Sequence, residues 1–326
     1  MKKIIYILIV FLLGLSVFFL NYKKENKKDT TKVKVAEVAH SIFYAPFYVS
    51  IENGYFKKHG LDIDLILTSG ADKVSAAVLS GDVNIGFAGA ESAIYVYKGG
   101  EKDYLQVFSG LTKRDGQFIV GRSKDDNFEL DNLIGKEVVV GRKGGMPALN
   151  FLNALEKQGI NYKDIKINYQ IDFASLSGAF ISGTGDYVNL FEPNATMLEK
   201  NSQGHTLVPI GKYSGEMPYT TFYARKSYIK DNKAIIEKYV AAIDDGLNYV
   251  NTHSASDIAK IVSKQFPDTS INDLTSMINH YKEADSWLKD SYVTKQSFEN
   301  LEEVLVKNKL IDSSAPYKKL VVNFEK

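Results

Sequence analysis

A chain of 326 residues is long enough for two domains of ordinary size. Its 40 Lys and Arg almost balance 39 Asp and Glu, leaving a net charge of +1, so no bulk basic field points to nucleic acid. There is no cysteine, which excludes disulfides, thiolate metal sites, a cysteine nucleophile and a lipid anchor on an acylated cysteine.

The chain starts with Lys2-Lys3 and an unbroken apolar run, Ile4 to Leu20. This reads as a secretory signal or an uncleaved membrane anchor over residues 1–20, at the short limit for a span. Residues 21–32 are polar and Lys-rich, the composition of a flexible tether.

From His40 to Ser92, strand and helix signals alternate. Pro46 can open a helix, since its missing N–H is one of the unpaired donors there anyway. Phe47, Val49 and Ile51 give that helix an apolar body, and Gly54 can end it. Leu61-Asp62-Ile63-Asp64-Leu65 alternates apolar and acidic residues, a strand period. Ser69-Gly70-Ala71-Asp72 leads into a second helix closed by Gly81. Val83 to Phe87 is a short apolar strand, followed by Ala88-Gly89-Ala90-Glu91-Ser92 at the mouth of a third helix. Such a β-α-β-α-β-α order predicts a parallel sheet with helices on its faces, with ligands beyond the carboxyl ends of the strands.

The run YAPFYVSIENGYFKKHGLDIDL, followed by a helix ending LSGDVNIGF, resembles the substrate-binding components of ABC importers. The matching branch handles nitrate, sulfonates such as taurine, and thiamine-pyrimidine precursors. By motif the resemblance covers Val33 to Tyr228. It implies an α/β, two-lobed periplasmic-binding-protein type II fold with a hinge of two crossings. It also implies a small-molecule solute, an ABC permease with its ATPase subunit as partners, an extracytoplasmic location, a monomer, and no cofactor, metal or catalytic residue.

Past Gly100, Gln106 to Leu111 and Phe118 to Gly121 read as strands, with the first crossing between lobes expected near Val120 to Asp126. The second lobe repeats the plan. Glu137 to Gly141 is a strand, Pro147 opens a helix to Gln158, and Ile165 to Tyr169 alternates. A helix through Leu176 and Phe180 follows, then the strand Asp186 to Phe191, with Glu192-Pro193 opening another helix. The stretches Gly81 to Phe87 and Gly185 to Phe191 share a helix stop, an acidic turn and a short apolar strand, which supports two lobes of related design. Thr206 to Ile210 reads as a strand and Tyr219 to Ala224 as the return crossing. Beyond Ile229 the spacing is helical, with Ser254 and Thr294 placed as N-caps. The expected division is 33–121 with 223–326 for the first lobe and 122–222 for the second.

Candidate site residues lie in the turns. Gly144, Gly145 and Met146 precede a helix start whose free N–H groups and partial positive charge favour anions, and two glycines let a ligand approach the backbone. In the resembling family this loop contacts the ligand's polar head, commonly through a serine where Gly145 or Met146 stands. Ser41, Tyr44 and Ala45 match the family's first pocket loop, and Tyr44 can stack on a ligand, donate its hydroxyl, or sit buried between lobes. Gly70 and Asp72 form the second loop, with Asp72 expected as an N-cap first. Ala88, Gly89, Ala90 and Glu91 match the third, where Glu91 can meet the helix dipole or a ligand. Glu192 matches the family's acidic-proline step and can pair with a ligand amine. Charges expected near the cleft are mixed: Lys73, Lys113, Arg114, Arg142 and Lys143 against Asp72, Glu91 and Glu192. A zwitterion or a neutral heterocycle suits that balance. Trp287 is expected in the core.

Enzyme readings find little support. The chain has no Walker loop and no Gly-x-Ser-x-Gly elbow, and its five histidines lack metal-ligand spacing. A pyrimidine synthase that consumes its own histidine belongs to the same wider family, but it is cytoplasmic and carries a cysteine-rich motif. A membrane-tethered sensor is a third class, disfavoured because no cytoplasmic domain is evident.

Overall fold

The computed structural model describes residues 30–324. The expected signal or anchor and most of the tether lie outside the described residues. Among the described residues, ten strands form two five-stranded sheets. The first sheet has the order β2-β1-β3-β10-β4, from Leu61–Leu67, Thr31–Glu37, Ile85–Ala88, Thr220–Arg225 and Leu105–Thr112. The second has the order β7-β6-β8-β5-β9, from Lys166–Asn168, Glu137–Val139, Tyr187–Leu190, Phe118–Gly121 and His205–Pro209.

The two sheets follow one design. In the first, β1 pairs in parallel with β2 (Val35↔Leu65) and β3 (Val35↔Ile85), while β10 runs antiparallel beside β3 (Phe222↔Phe87). In the second, β6 pairs in parallel with β7 (Val138↔Ile167) and β8 (Val138↔Tyr187), while β5 runs antiparallel beside β8 (Ile119↔Asn189). The antiparallel strand in each sheet is the one that has just arrived from the other lobe. The internal similarity around Gly81 and Gly185 is therefore a similarity of topology.

This corrects the expected crossings. Phe118–Gly121 belongs to the second sheet, so the chain leaves the first at Thr112 and crosses over residues 113–117. It returns over residues 210–219, and Thr220–Arg225 is already a strand of the first sheet. The crossings lie side by side: Met217 N–H donates to the Lys113 carbonyl at 3.0 Å and Tyr219 N–H to that of Thr112 at 3.1 Å. Two adjacent, hydrogen-bonded connections make a hinge.

Local chemistry explains the helices. Pro46 sits in the first turn of Ala45–Glu52, and Gly54 follows it with φ +70°, a conformation glycine adopts without a Cβ clash. Ser254 and Thr294 accept hydrogen bonds from Asp257 N and Ser297 N, capping Ala255–Val262 and Lys295–Lys307 as expected. Asp72 does not cap. Gly70 occupies the N-cap of Ala71–Ser80 and Asp72 lies in the first turn, where its charge still favours the dipole.

The larger apolar core fills the first lobe and continues into the second through the hinge. Phe43 makes this link, its ring 5.4 Å from Phe191 and 5.7 Å from Tyr219. Trp287 is buried as expected, its indole N–H donating to the Phe43 carbonyl at 2.8 Å. A second, smaller core around Phe151 and Leu155 packs within the second lobe.

Candidate functional site

Between the sheets lies a cleft of about 400 Å³. Its walls come from the turns that follow the parallel strands of both lobes. From the first lobe come Val38, Ala39 and Tyr44 after β1, Ser69 to Lys73 after β2, and Gly89 and Glu91 after β3. From the second come Gly141 to Pro147, except Lys143 and Gly144, after β6, then Asp172 to Ser175 after β7, and Phe191 after β8. Tyr219 and Thr220 of the return crossing close the hinge side. Strand carboxyl ends thus face each other across the gap, the position the parallel order predicts.

Seven of the thirteen candidate residues line this cleft: Tyr44, Gly70, Asp72, Gly89, Glu91, Gly145 and Met146. Ala45, Ala88 and Ala90 are buried behind it. Gly144 turns its carbonyl outward to accept a hydrogen bond from the Tyr95 hydroxyl at 2.9 Å. Ser41 and Glu192 form a seam between lobes. Ser41 Oγ donates to the Glu192 carbonyl at 2.6 Å. The Glu192 carboxylate, 1% exposed, accepts from Thr196 N at 2.9 Å and Thr196 Oγ1 at 2.8 Å, and pairs with His280 Nδ1 at 2.9 Å. Three internal donors hold it and it does not line the cleft, so the expected amine contact is not available at Glu192.

Of the expected charges, Lys73, Arg142, Asp72 and Glu91 do line the cleft. Lys113 and Arg114 instead pair with Asp285 at 2.7 Å and Glu216 at 2.9 Å. The Asp172–Ser175 turn and Phe191 were not anticipated. The turn carries no glycine motif, and its place follows only from β7 being the counterpart of β2.

Glu91 is the buried carboxyl of the cleft. It is 2% exposed, and no hydrogen bond of ordinary geometry reaches its Oε2. Burial pushes its carboxyl up to about 7, although the nearby amides of Glu91, Met146 and Ser92 and the Arg142 charge pull the other way. A Cβ added at Gly89 would collide with the Glu91 carboxylate and the Met146 side chain, so glycine there lets the two lobes meet over this acid. Tyr44 is buried beside it, its hydroxyl hydrogen-bonded to Thr220 and raised above the ordinary phenol range by burial. Aromatic faces of Tyr44, Phe173, Phe191 and Tyr219 complete the walls.

The arrangement can enclose, orient and desolvate a small molecule. Among the described residues no group of three or more His, Asp or Glu is placed to hold a metal ion.

Known proteins share this plan. The alkanesulfonate-binding protein SsuA from Xanthomonas axonopodis pv. citri, bound to MOPS, superposes with a TM-score of 0.71, covering 91% of this chain and 99% of its own at 13% identity. The periplasmic aliphatic sulphonate binding protein SsuA from Escherichia coli gives 0.68, covering 89% and 96% at 15% identity. At these identities the likeness establishes the fold. YtlA of Bacillus subtilis (strain 168), whose name describes a candidate binding protein, is 41% identical over 298 residues, 91% of this chain and 89% of its own. These relatives are named as binding proteins rather than enzymes. The NMT1/THI5-like family model matches residues 42–255, from the first cleft turn through both sheets into the C-terminal helices, and the chain belongs to that family.

Proposed function

We propose that the chain is the solute receptor of an ABC-type import system, working outside the cytoplasm. It captures a small anionic, zwitterionic or heterocyclic solute between its lobes and hands it to a permease with its ATPase subunit. One observation carries this reading: a cleft of about 400 Å³ whose walls are the strand ends of two lobes joined by two adjacent crossings. That geometry supports capture by closure, driven by the ligand's greater affinity for the closed state. Residues 1–20 then serve as the export signal or membrane attachment. Among the described residues no helix is long and apolar enough to cross a membrane.

A second reading within the same function is a thiamine-pyrimidine precursor or a similar heterocycle. The aromatic faces of Tyr44, Phe173, Phe191 and Tyr219 favour it, and the cleft falls in the range typical of organic ligands. Calorimetry of the purified chain with taurine, alkanesulfonates, nitrate and formylaminopyrimidine tests both readings. Saturable binding of one solute without turnover is the expected result. Chemical conversion of any of them would replace the receptor reading with an enzyme.

A further inference from the structure

We propose that Glu91 is the specificity-determining residue of the cleft, and that its buried carboxyl selects a ligand carrying an N–H donor, either an amine or an amino group on a ring. This deepens the receptor reading and rests on it.

The carboxyl belongs to the first lobe, at the start of the Glu91–Lys98 helix, yet it lies against Met146 of the second. Closure therefore seals it in. Its Oε2 is without a hydrogen-bond partner, and an unpaired buried acceptor costs free energy that a ligand donor recovers. Cleft-lining charge does not favour a bare anion either. Glu91, Asp72 and Asp172 oppose Lys73 and Arg142. Arg142 is close enough to act on the Glu91 carboxyl and can take an acidic group of the same ligand. An oxyanion alone would face a buried acid, whereas a ligand nitrogen satisfies it. The cleft is also far roomier than nitrate requires, and its aromatic faces suit an apolar or ring-shaped body.

Matched pairs test this on the full chain: taurine against 1-propanesulfonate, and 4-aminopyrimidine against 4-methylpyrimidine, each with the wild type and with Glu91→Gln. The expected result is tighter binding of at least one amino-bearing member than of its twin, by about ten-fold or more. Glu91→Gln should lose most of that preference, since the neutral amide keeps the size of the side chain but not its charge. Circular dichroism and the melting temperature of the variant confirm that it folds. Equal binding of the pairs, tightest binding of nitrate or 1-propanesulfonate, or an amine preference that survives in Glu91→Gln each overturns the assignment and leaves the receptor standing. Failure of every probe, together with failure of the wider solute panel, counts against the receptor itself and removes the inference with it.

Discussion

The Tyr95 hydroxyl donates to the Gly144 carbonyl at 2.9 Å and thereby ties a first-lobe helix to the turn after β6 in the second lobe. Nearby, Lys307 pairs with Glu156, and Asn300 donates to the Glu216 carbonyl at 3.0 Å. Together these contacts tie the first lobe to the second lobe and to the return crossing. Tyr95→Phe removes one neutral hydrogen bond, worth about 1 kcal/mol. The variant should fold normally but favour the open form. Stopped-flow measurement should show ligand dissociation faster by about five-fold. An unchanged rate would mean that the contact follows closure without contributing to it.

The lobes also meet at Glu192, which pairs with His280 Nδ1 at 2.9 Å, and at Lys200, which pairs with Asp273 at 2.7 Å. The Glu192 hydrogen bond holds the His280 proton, raising the imidazole above its ordinary 6.5 against the pull of burial. A raised folded-state value gives stability that is fully present below 6.5 and lost as pH climbs through the folded value. His280→Gln should therefore destabilise the protein more at about pH 6 than at about pH 8.5, read as melting temperature. The imidazole is partly exposed, so the difference should be small. An equal loss at both pH values would show that the side chain acts by packing alone.

Where local chemistry determines structure, it was legible in advance. Ser254 and Thr294 cap their helices, and Gly54 and Gly81 end theirs, because each role depends on one residue's own atoms. Sheet membership depends on partners instead. Phe118–Gly121 reads as a strand either way, and only its pairing with β8 and β9 puts it in the second lobe. The same limit applies in the cleft. Tyr44, Gly70, Gly89 and Gly145 sit at changeovers visible in the sequence, so they were found. Phe173 and Asp172 lie in an unmarked turn and were not. Glu192 looks like a cleft acid from its neighbours in sequence, but Thr196 and His280, remote or unmarked, take up its oxygens.

Gly246 tests how tightly the C-terminal helices brace the first pocket loop. It lies in Lys233–Thr252 where that helix crosses Ala45–Glu52, and an added Cβ would run into Ser50 Oγ and the Pro46 carbonyl. Ser50 Oγ also donates to the Ala242 carbonyl at 2.8 Å, so it is not free to yield. Gly246→Ala should cost about 1–3 kcal/mol, as overpacking does. Adding Ser50→Ala should recover only part of the loss, since the Pro46 carbonyl remains. Chemical denaturation gives both values, and a neutral Gly246→Ala would show that the helices can slide apart.

The Glu91 carboxyl makes a sharper pH prediction. The charged and titratable groups that act with it are Arg142 and the hydroxyls of Tyr44, Tyr95, Tyr219 and Tyr223. The tyrosines stay neutral at ordinary pH, so Glu91 itself titrates. Its folded value of about 7 lies above the ordinary 4.5. Relative to a neutral side chain, its contribution is best below 4.5 and is lost as pH rises through about 7. The displacement corresponds to about 3 kcal/mol as an upper bound. Unliganded Glu91→Gln should therefore gain on the wild type between about pH 5 and pH 8, by roughly 5 °C in melting temperature. Ligand reverses the sign. An amine stabilises the carboxylate and draws its value down, so affinity should fall as pH drops below about 7, with protons released on binding. Calorimetry in two buffers of different ionisation enthalpy reads that release directly, and proton uptake instead would identify an oxyanion resting on the protonated acid.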